Sequence, residues 1–168
     1  MINPAMEVSL QSFLACVEEL ESTLSGVDEK DLDRNAGEGW TIRQIVHHIA
    51  DGDDLWKNCV LMVLGNPGTE FHLSWYWNIP QDEWTTHWRY QQREIQSSLK
   101  RFRVNREYIV DLLRKRPDAW QASARVHWPR DRKETRITIA EIIGMQTNHS
   151  RNHCADIRAI NRLEISQG

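Results

Sequence analysis

Cysteine is scarce in this chain of 168 residues, and the three present, Cys16, Cys59 and Cys154, are odd in number and far apart. That pattern excludes a disulfide framework and a C-x-x-C metal or redox site, and it leaves three reduced, mostly buried thiols. Glycine and proline are also few, eight and five. No G-x-x-x-x-G-K phosphate loop, G-x-S-x-G elbow, internal repeat or low-complexity tract is present. No apolar run approaches the length of a membrane span, and Met1 to Leu10 lacks the basic-then-apolar order of a signal peptide, so a cytoplasmic protein is expected. Nor is there an excess of positive charge. The net charge is −3 with both signs interspersed, which argues against nucleic acid as a partner.

What is present is helical periodicity. Val8, Phe13, Leu14, Val17, Leu20 and Leu24 mark an amphipathic helix over residues 6–25, ending near Gly26. Residues 27–39 are polar and form a connector. Thr41-Ile-Arg-Gln44 has the form of a capping box, threonine at N-cap and glutamine at N3, and opens a second helix from Ile42 to about Leu64. Thr138-Ile-Ala-Glu141 has the same form and opens the last helix, which runs to about Leu163. Between them, residues 82–116 read as one charged helix stopped by Pro117, with Trp84, Trp88, Ile95, Leu99, Phe102, Tyr108, Ile109, Leu112 and Leu113 as buried positions. Its basic run, Lys100, Arg101, Arg103 and Arg106, reads as a solvated face. Residues 118–137 suggest a short hairpin or extended loop with a turn at Asp131-Arg-Lys-Glu134. Residues 65–81 show no period. Extended at about 3.4 Å per residue, they span about 50 Å, enough to cross a bundle lengthwise. Four such helices predict an all-α four-helix bundle formed by one domain over residues 1–168.

The chemistry gathers on the helical faces. His149 and His153 are four residues apart, inside the stripe of Ile139, Ile142, Ile143, Ile157 and Ile160, so both imidazoles point the same way. Buried imidazoles need partners, which are either backbone and water or a metal ion. On the second helix His47 and His48 point about 100° apart. His48 borders the stripe of Ile42, Ile45, Ile49, Trp56, Val60 and Val63, whereas His47 shares the other face with Arg43, Asp51 and Asp54 and reads as solvated. His48, His149 and His153 then converge as three imidazoles with a coordination position left open. Zinc suits such a set, as do nickel, iron and manganese. Trp40 is placed to pack over the second helix start. Trp75, Tyr76, Trp77 and Trp128 form either an apolar wall over a pocket or a cover for the bundle end.

Trp40-Thr-Ile-Arg-Gln-Ile-Val-His-His-Ile-Ala-Asp51, followed about a hundred residues later by His149-Ser-Arg-Asn-His153, resembles the DinB-like superfamily, close to its YfiT-like branch. The resemblance spans roughly residues 25–163. It implies that His48, His149 and His153 hold a divalent metal, zinc or nickel first, in an up-down-down-up bundle with a long crossover after the second helix. It also implies a homodimer and a small-molecule substrate. Two activities occur among such proteins: metal-dependent hydrolysis, and S-transfer using bacillithiol, mycothiol or glutathione as the thiol cosubstrate. Either would use a metal ion to generate a nucleophile from water or thiol near neutral pH. Asp51 and Asp156, each three residues after a ligand, are candidates for orienting an imidazole. His87 and His127 are candidate proton carriers, and Gln146 and Ser150 candidate substrate contacts. A bundle that binds metal and a partner or small molecule without turnover remains the alternative.

Overall fold

The computed structural model describes residues 3–37, 39–128 and 134–165, the side chains of 163–165 excepted. Four long helices form the body: α1 (Pro4–Leu24), α2 (Ile42–Gly65), α5 (Ile95–Lys115) and α6 (Ile139–Ile165). The crossover between α2 and α5 carries β1 (Glu70–His72) and two short helices, α3 (Ser74–Trp77) and α4 (Gln81–His87). β2 (Ser123–His127) and β3 (Thr135–Thr138) lie between α5 and α6.

The starts of the helices follow from the sequence. The Asn3 side chain accepts from the Ala5 N–H and Pro4 occupies the first turn of α1. Both expected capping boxes are formed. Gln44 N–H donates to Thr41 Oγ1 at 3.2 Å while Thr41 N–H donates to Gln44 Oε1 at 2.9 Å. Thr138 and Glu141 exchange the same pair of bonds at 3.2 and 2.7 Å.

Helix directions can be read from side-chain partners. Arg43 meets the Arg93 carbonyl, His47 meets Ser98 and Asp53 meets Arg106, so α2 and α5 run parallel. Cys16 meets Thr147 and Glu19 meets Arg151, so α1 and α6 are also parallel. Trp40 lies over His153 while Gly52 lies against His149, so α2 and α6 are antiparallel. The bundle is therefore up-down-down-up, as expected, and the parallel α2–α5 pair is what requires the long crossover. α1 and α2 each pack on α5 and α6 and so face each other across a diagonal.

The structure departs from the expected elements in two places. Residues 82–116 are not one helix, because Arg89 adopts a left-handed backbone (φ 51°) and breaks the run into α4, a 3-10 turn at Tyr90–Gln92 and α5. Tyr108, expected inside, is exposed. The connector at 65–81 contributes β1, which pairs in parallel with β2, while β2 pairs antiparallel with β3. Of the two readings of residues 118–137, hairpin or extended loop, the structure has the hairpin, but a parallel strand arriving from more than fifty residues earlier leaves no local pattern. Residues 131–133 of the expected turn lie outside the described residues.

The core has two apolar halves. One gathers Met6, Leu10 and Phe13 with Trp56, Val60, Ile109, Leu113 and Ile142 under the sheet. The other gathers Val17 and Leu20 with Ile42, Ile49, Phe102, Ile157 and Ile160. Between them lies a buried polar layer. Arg106, fully buried, pairs with Asp53 at 2.9 Å and donates to the Phe13 carbonyl (2.7 Å), the Gln146 carbonyl (3.1 Å) and Ser150 Oγ (2.7 Å). Its guanidinium is sandwiched between Phe13 and Phe102, 4.0 and 4.2 Å from the ring centres. This corrects the reading of Arg106 as a solvated cation: one member of the basic run faces inward and ties α1, α2 and α6 to α5.

Candidate metal centre

His48 on α2 meets His149 and His153 on α6 at the level of the polar layer. The ring centroids are 4.7–5.1 Å apart and the ring planes are 68–87° from one another. Three nearly perpendicular imidazoles aim their edges at one point. His48 Nε2 and His149 Nε2 are 3.0 Å apart, close to the roughly 3.3 Å expected of two nitrogens about 2.0–2.1 Å from a tetrahedral ion. One donor atom from each of the three histidines lies within 4.8 Å of the other two. His153 Nδ1–H donates to Asp156 Oδ2 at 3.0 Å, which leaves the His153 Nε2 lone pair for the same point.

Burial and the neighbouring imidazoles push His48 down to about 2, and burial with the nearby His153 pushes His149 down to about 4. Both are therefore neutral near pH 7, the form that donates a lone pair to a metal. Two converging lone pairs at this distance repel unless a proton or a cation lies between them, so the donor set fits a divalent ion. Trp40 closes the outer side, edge-on to His48 (4.5 Å) and stacked on His153 (6.4 Å).

The inner side opens into a cavity of about 170 Å³ lined by Tyr76, Trp77, Trp128, Met145, Gln146 and Gly52 beside His48 and His149. Tyr76, Trp77 and Trp128 thus form the apolar wall, whereas Trp75 is half exposed over an adjoining recess of about 380 Å³. That recess is lined by Asp51, Asp54, Arg93 and Arg101 with Trp75 and Trp88, and it shares Leu55 and Tyr76 with the cavity. Two buried atoms of cavity-lining residues, His149 Nδ1 and Gln146 Oε1, have no hydrogen-bond partner among the described residues.

Other candidates are placed differently. His47 is buried, not solvated. The Arg93 carbonyl can only accept, so His47 donates from Nε2 (3.2 Å) and accepts at Nδ1 from Ser98 Oγ–H (2.8 Å). Its face is covered because α5 docks there. Arg43 is buried on the same face, reaching Asp33 (2.8 Å) and Glu29 (2.7 Å) of the 27–39 connector. Asp156 orients a candidate ligand, but Asp51 does not: it accepts from the Tyr90 hydroxyl at 2.6 Å and pairs with Arg101. Ser150 is engaged by Arg106 and donates to the Gln146 carbonyl, so of the two expected substrate contacts only Gln146 borders the cavity. His87 packs on Trp84, and His127 stacks on His72 on the sheet, so neither joins the three-histidine cluster.

An up-down-down-up bundle with three imidazoles converging from two antiparallel helices defines a class of helical proteins with a histidine centre. The chain belongs to the DinB superfamily, whose family model matches residues 4–157. It is similar to YfiT from Bacillus subtilis, described as a probable metal-dependent hydrolase with an unusual four-helix bundle topology. The identity is 19%, the TM-score 0.81, and the match covers 98% of this chain and 90% of that one. It is also similar to a mycothiol-dependent maleylpyruvate isomerase, with 16% identity and a TM-score of 0.66, over 90% of this chain and 60% of that one. No curated protein sequence matches the chain significantly.

Proposed function

We propose that the protein is a metal-dependent enzyme that transfers a low-molecular-weight thiol to an electrophilic small molecule, with His48, His149 and His153 as ligands of a zinc or nickel ion. The observation that carries this reading is the lining of the cavity beside the histidines, which is aromatic and contains no carboxylate among the described residues. A thiol starts from a pKa of about 8.5 and water from about 15.7, so a site without a carboxylate base favours the thiol as the nucleophile. A divalent ion held by the three imidazoles supplies Lewis acidity that lowers the pKa of a water or thiol at its open position.

The chain's own residues account for the rest. Asp156 keeps the proton on His153 Nδ1 and so fixes its ring with Nε2 inward. Tyr76, Trp77 and Trp128 exclude water and seat an apolar electrophile. Arg93, Arg101, Asp51 and Asp54 line the adjoining recess with both signs of charge, which suits the zwitterionic body of a thiol such as glutathione or bacillithiol. The unpartnered His149 Nδ1 and Gln146 Oε1 are open to an acceptor and a donor respectively from a bound molecule. The mycothiol-dependent isomerase of the same fold supports a thiol cosubstrate, whereas the description of YfiT supports hydrolysis.

The test is a panel of thiols with chloro- or epoxy-electrophiles, and of simple esters and amides, with metal-loaded and His48→Ala protein. Metal-dependent conjugation above the solution background, with poor ester turnover, is expected. Ready ester hydrolysis with no conjugation would replace thiol transfer by hydrolysis. If neither occurred and His48→Ala only lowered the melting temperature, a non-catalytic metal-stabilised bundle would be the better reading.

A further inference from the structure

The recess beside the cavity is lined by a cation whose contacts with the described residues are all long. α2 serves both spaces: His48, Gly52 and Leu55 line the cavity, while Asp51, Asp54 and Asn58, about 90° round the helix, line the recess. Both carboxylates of the recess are already held. Asp51 accepts from the Tyr90 hydroxyl at 2.6 Å and pairs with Arg101. Asp54 pairs with Arg101 at 3.1 Å and accepts from Lys57 and Asn105, each at 2.7 Å. Three cations, Arg93, Arg101 and Lys57, thus surround two carboxylates, and the excess positive charge falls to Arg93. Its Nη1 is 3.7 Å from Asp51 Oδ2, its Nη2 is 3.5 Å from Ser98 Oγ and its Cζ is 5.4 Å from the centre of the Tyr90 ring. The backbone of Arg93 is held far more firmly. Its carbonyl accepts from Arg43 Nη1 at 3.1 Å and from His47 Nε2 at 3.2 Å, both on buried residues of α2. The residue is anchored by its main chain and presents a partly exposed fork of N–H donors to the recess.

We propose that Arg93 is the specificity-determining residue of the recess: its guanidinium takes a carboxylate of the cosubstrate, so the thiol used is one that carries a carboxylate. This rests on the reading of the cavity as the place of thiol transfer, and it selects among thiols. A planar guanidinium meets a carboxylate through two parallel N–H···O bonds, a pairing that its distant contact with Asp51 does not supply. Trp75, Trp88 and Tyr76 line the same recess and shield such a pair from water, which strengthens it. Because the Arg93 main chain is fixed before a ligand arrives, little of it has to be ordered on binding. Leu55 and Tyr76 belong to both spaces, so one molecule can set its carboxylate at Arg93 and its sulfur beside the histidines. A thiol whose body carries only hydroxyl groups leaves Arg93 unpaired and should be a poor cosubstrate.

Isothermal titration of the zinc-treated full chain with N-acetyl-S-methylcysteine and S-methylglutathione, each as acid and as methyl ester, reads the pairing without turnover. The acids should bind the wild type at least about 10-fold more tightly than the esters, whereas Arg93→Gln should not distinguish them and Arg93→Lys should fall between. Circular dichroism of Arg93→Gln should match the wild type, because the bonds that hold this segment go to the carbonyl. With glutathione and 1-chloro-2,4-dinitrobenzene, Arg93→Gln should raise KM for the thiol by a similar factor and leave kcat within about 2-fold, since Arg93 lines the recess and not the cavity. Equal binding of acid and ester to the wild type, or no binding of either acid at millimolar concentration, would overturn the assignment, and so would a KM effect confined to the electrophile. A preference for the acid that survives in Arg93→Gln would also overturn it, and its loss on chelation would place the carboxylate at the histidines instead. Conjugation with the same KM for glutathione and its ester would strike Arg93 and leave thiol transfer standing. Acid-selective binding that depends on Arg93, without conjugation, would do the reverse.

Discussion

At the scale of single residues, neighbours in sequence have unlike fates because 100° of helix rotation separates them. His48 reaches α6, whereas His47 is locked between Ser98 and the Arg93 carbonyl on the face that meets α5. His48→Ala, His149→Ala and His153→Ala should therefore each lose most of the bound metal at equal total Zn²⁺. His47→Ala should keep it and show its effect as lower stability, since it leaves Ser98 and a carbonyl without their buried partner. Asp156→Asn, which keeps the shape but weakens the pull on the His153 Nδ1 proton, should reduce metal affinity by about 10-fold or more. Metal analysis against a competing chelator separates the cases. Loss of metal in His47→Ala with retention in His48→Ala would refute the ligand assignment.

At the scale of elements, the four long helices were legible because each has a 3.6-residue stripe, and the starts of α2 and α6 because they have capping boxes, which are local signals; the start of α5 was not. What was not legible depends on distant chain. Arg106 and Arg103 look alike in sequence, yet Arg106 meets Asp53, Phe13, Gln146 and Ser150 in the core while Arg103 pairs with Glu21 at the surface. The only sequence hint was position: Arg106 falls four residues after Phe102 and three before Ile109, on the apolar stripe of α5. Tyr90, missed as a buried residue, depends likewise on the turn that breaks the run after α4. Burial pushes the Asp53 carboxyl up, and the charge and hydrogen bonds of Arg106 oppose it. A buried pair adds little net stability, but removing one member leaves an uncompensated charge. Asp53→Asn and Arg106→Met should each cost about 3–5 kcal/mol in denaturant unfolding. The double variant Asp53→Leu/Arg106→Met should recover much of that loss. Because Arg106 also holds the α6 turn that carries Gln146 and Ser150, the recovered double variant should still bind metal less tightly than the wild type. A double-variant cost equal to the sum of the two single costs would mean that the pair is not coupled.

At the scale of the whole molecule, the histidines make folding and metal binding respond to acid together. Burial pushes His47 down to about 4, while in the unfolded chain it titrates near 6.5. A depressed histidine keeps its full contribution above about pH 6.5. Below that, the unfolded state binds the proton and the folded state does not, so stability falls until about pH 4, where both are protonated. The loss from His47 alone approaches about 3 kcal/mol. His48 and His149 act with the same sign in metal-free protein, since both resist protonation when folded. Acid should therefore weaken the fold before it protonates these two histidines within it. Metal release, expected near pH 6.5 for free imidazoles, should instead occur at lower pH and coincide with loss of helicity. Circular dichroism and a metal-indicator dye followed from pH 8 to pH 4 on the same zinc-loaded sample should give superimposable curves, with His47→Ala less sensitive to acid. Half-release of zinc above pH 6 with helicity intact would mean that metal release is not linked to unfolding and that the fold does not protect the three-histidine centre from acid.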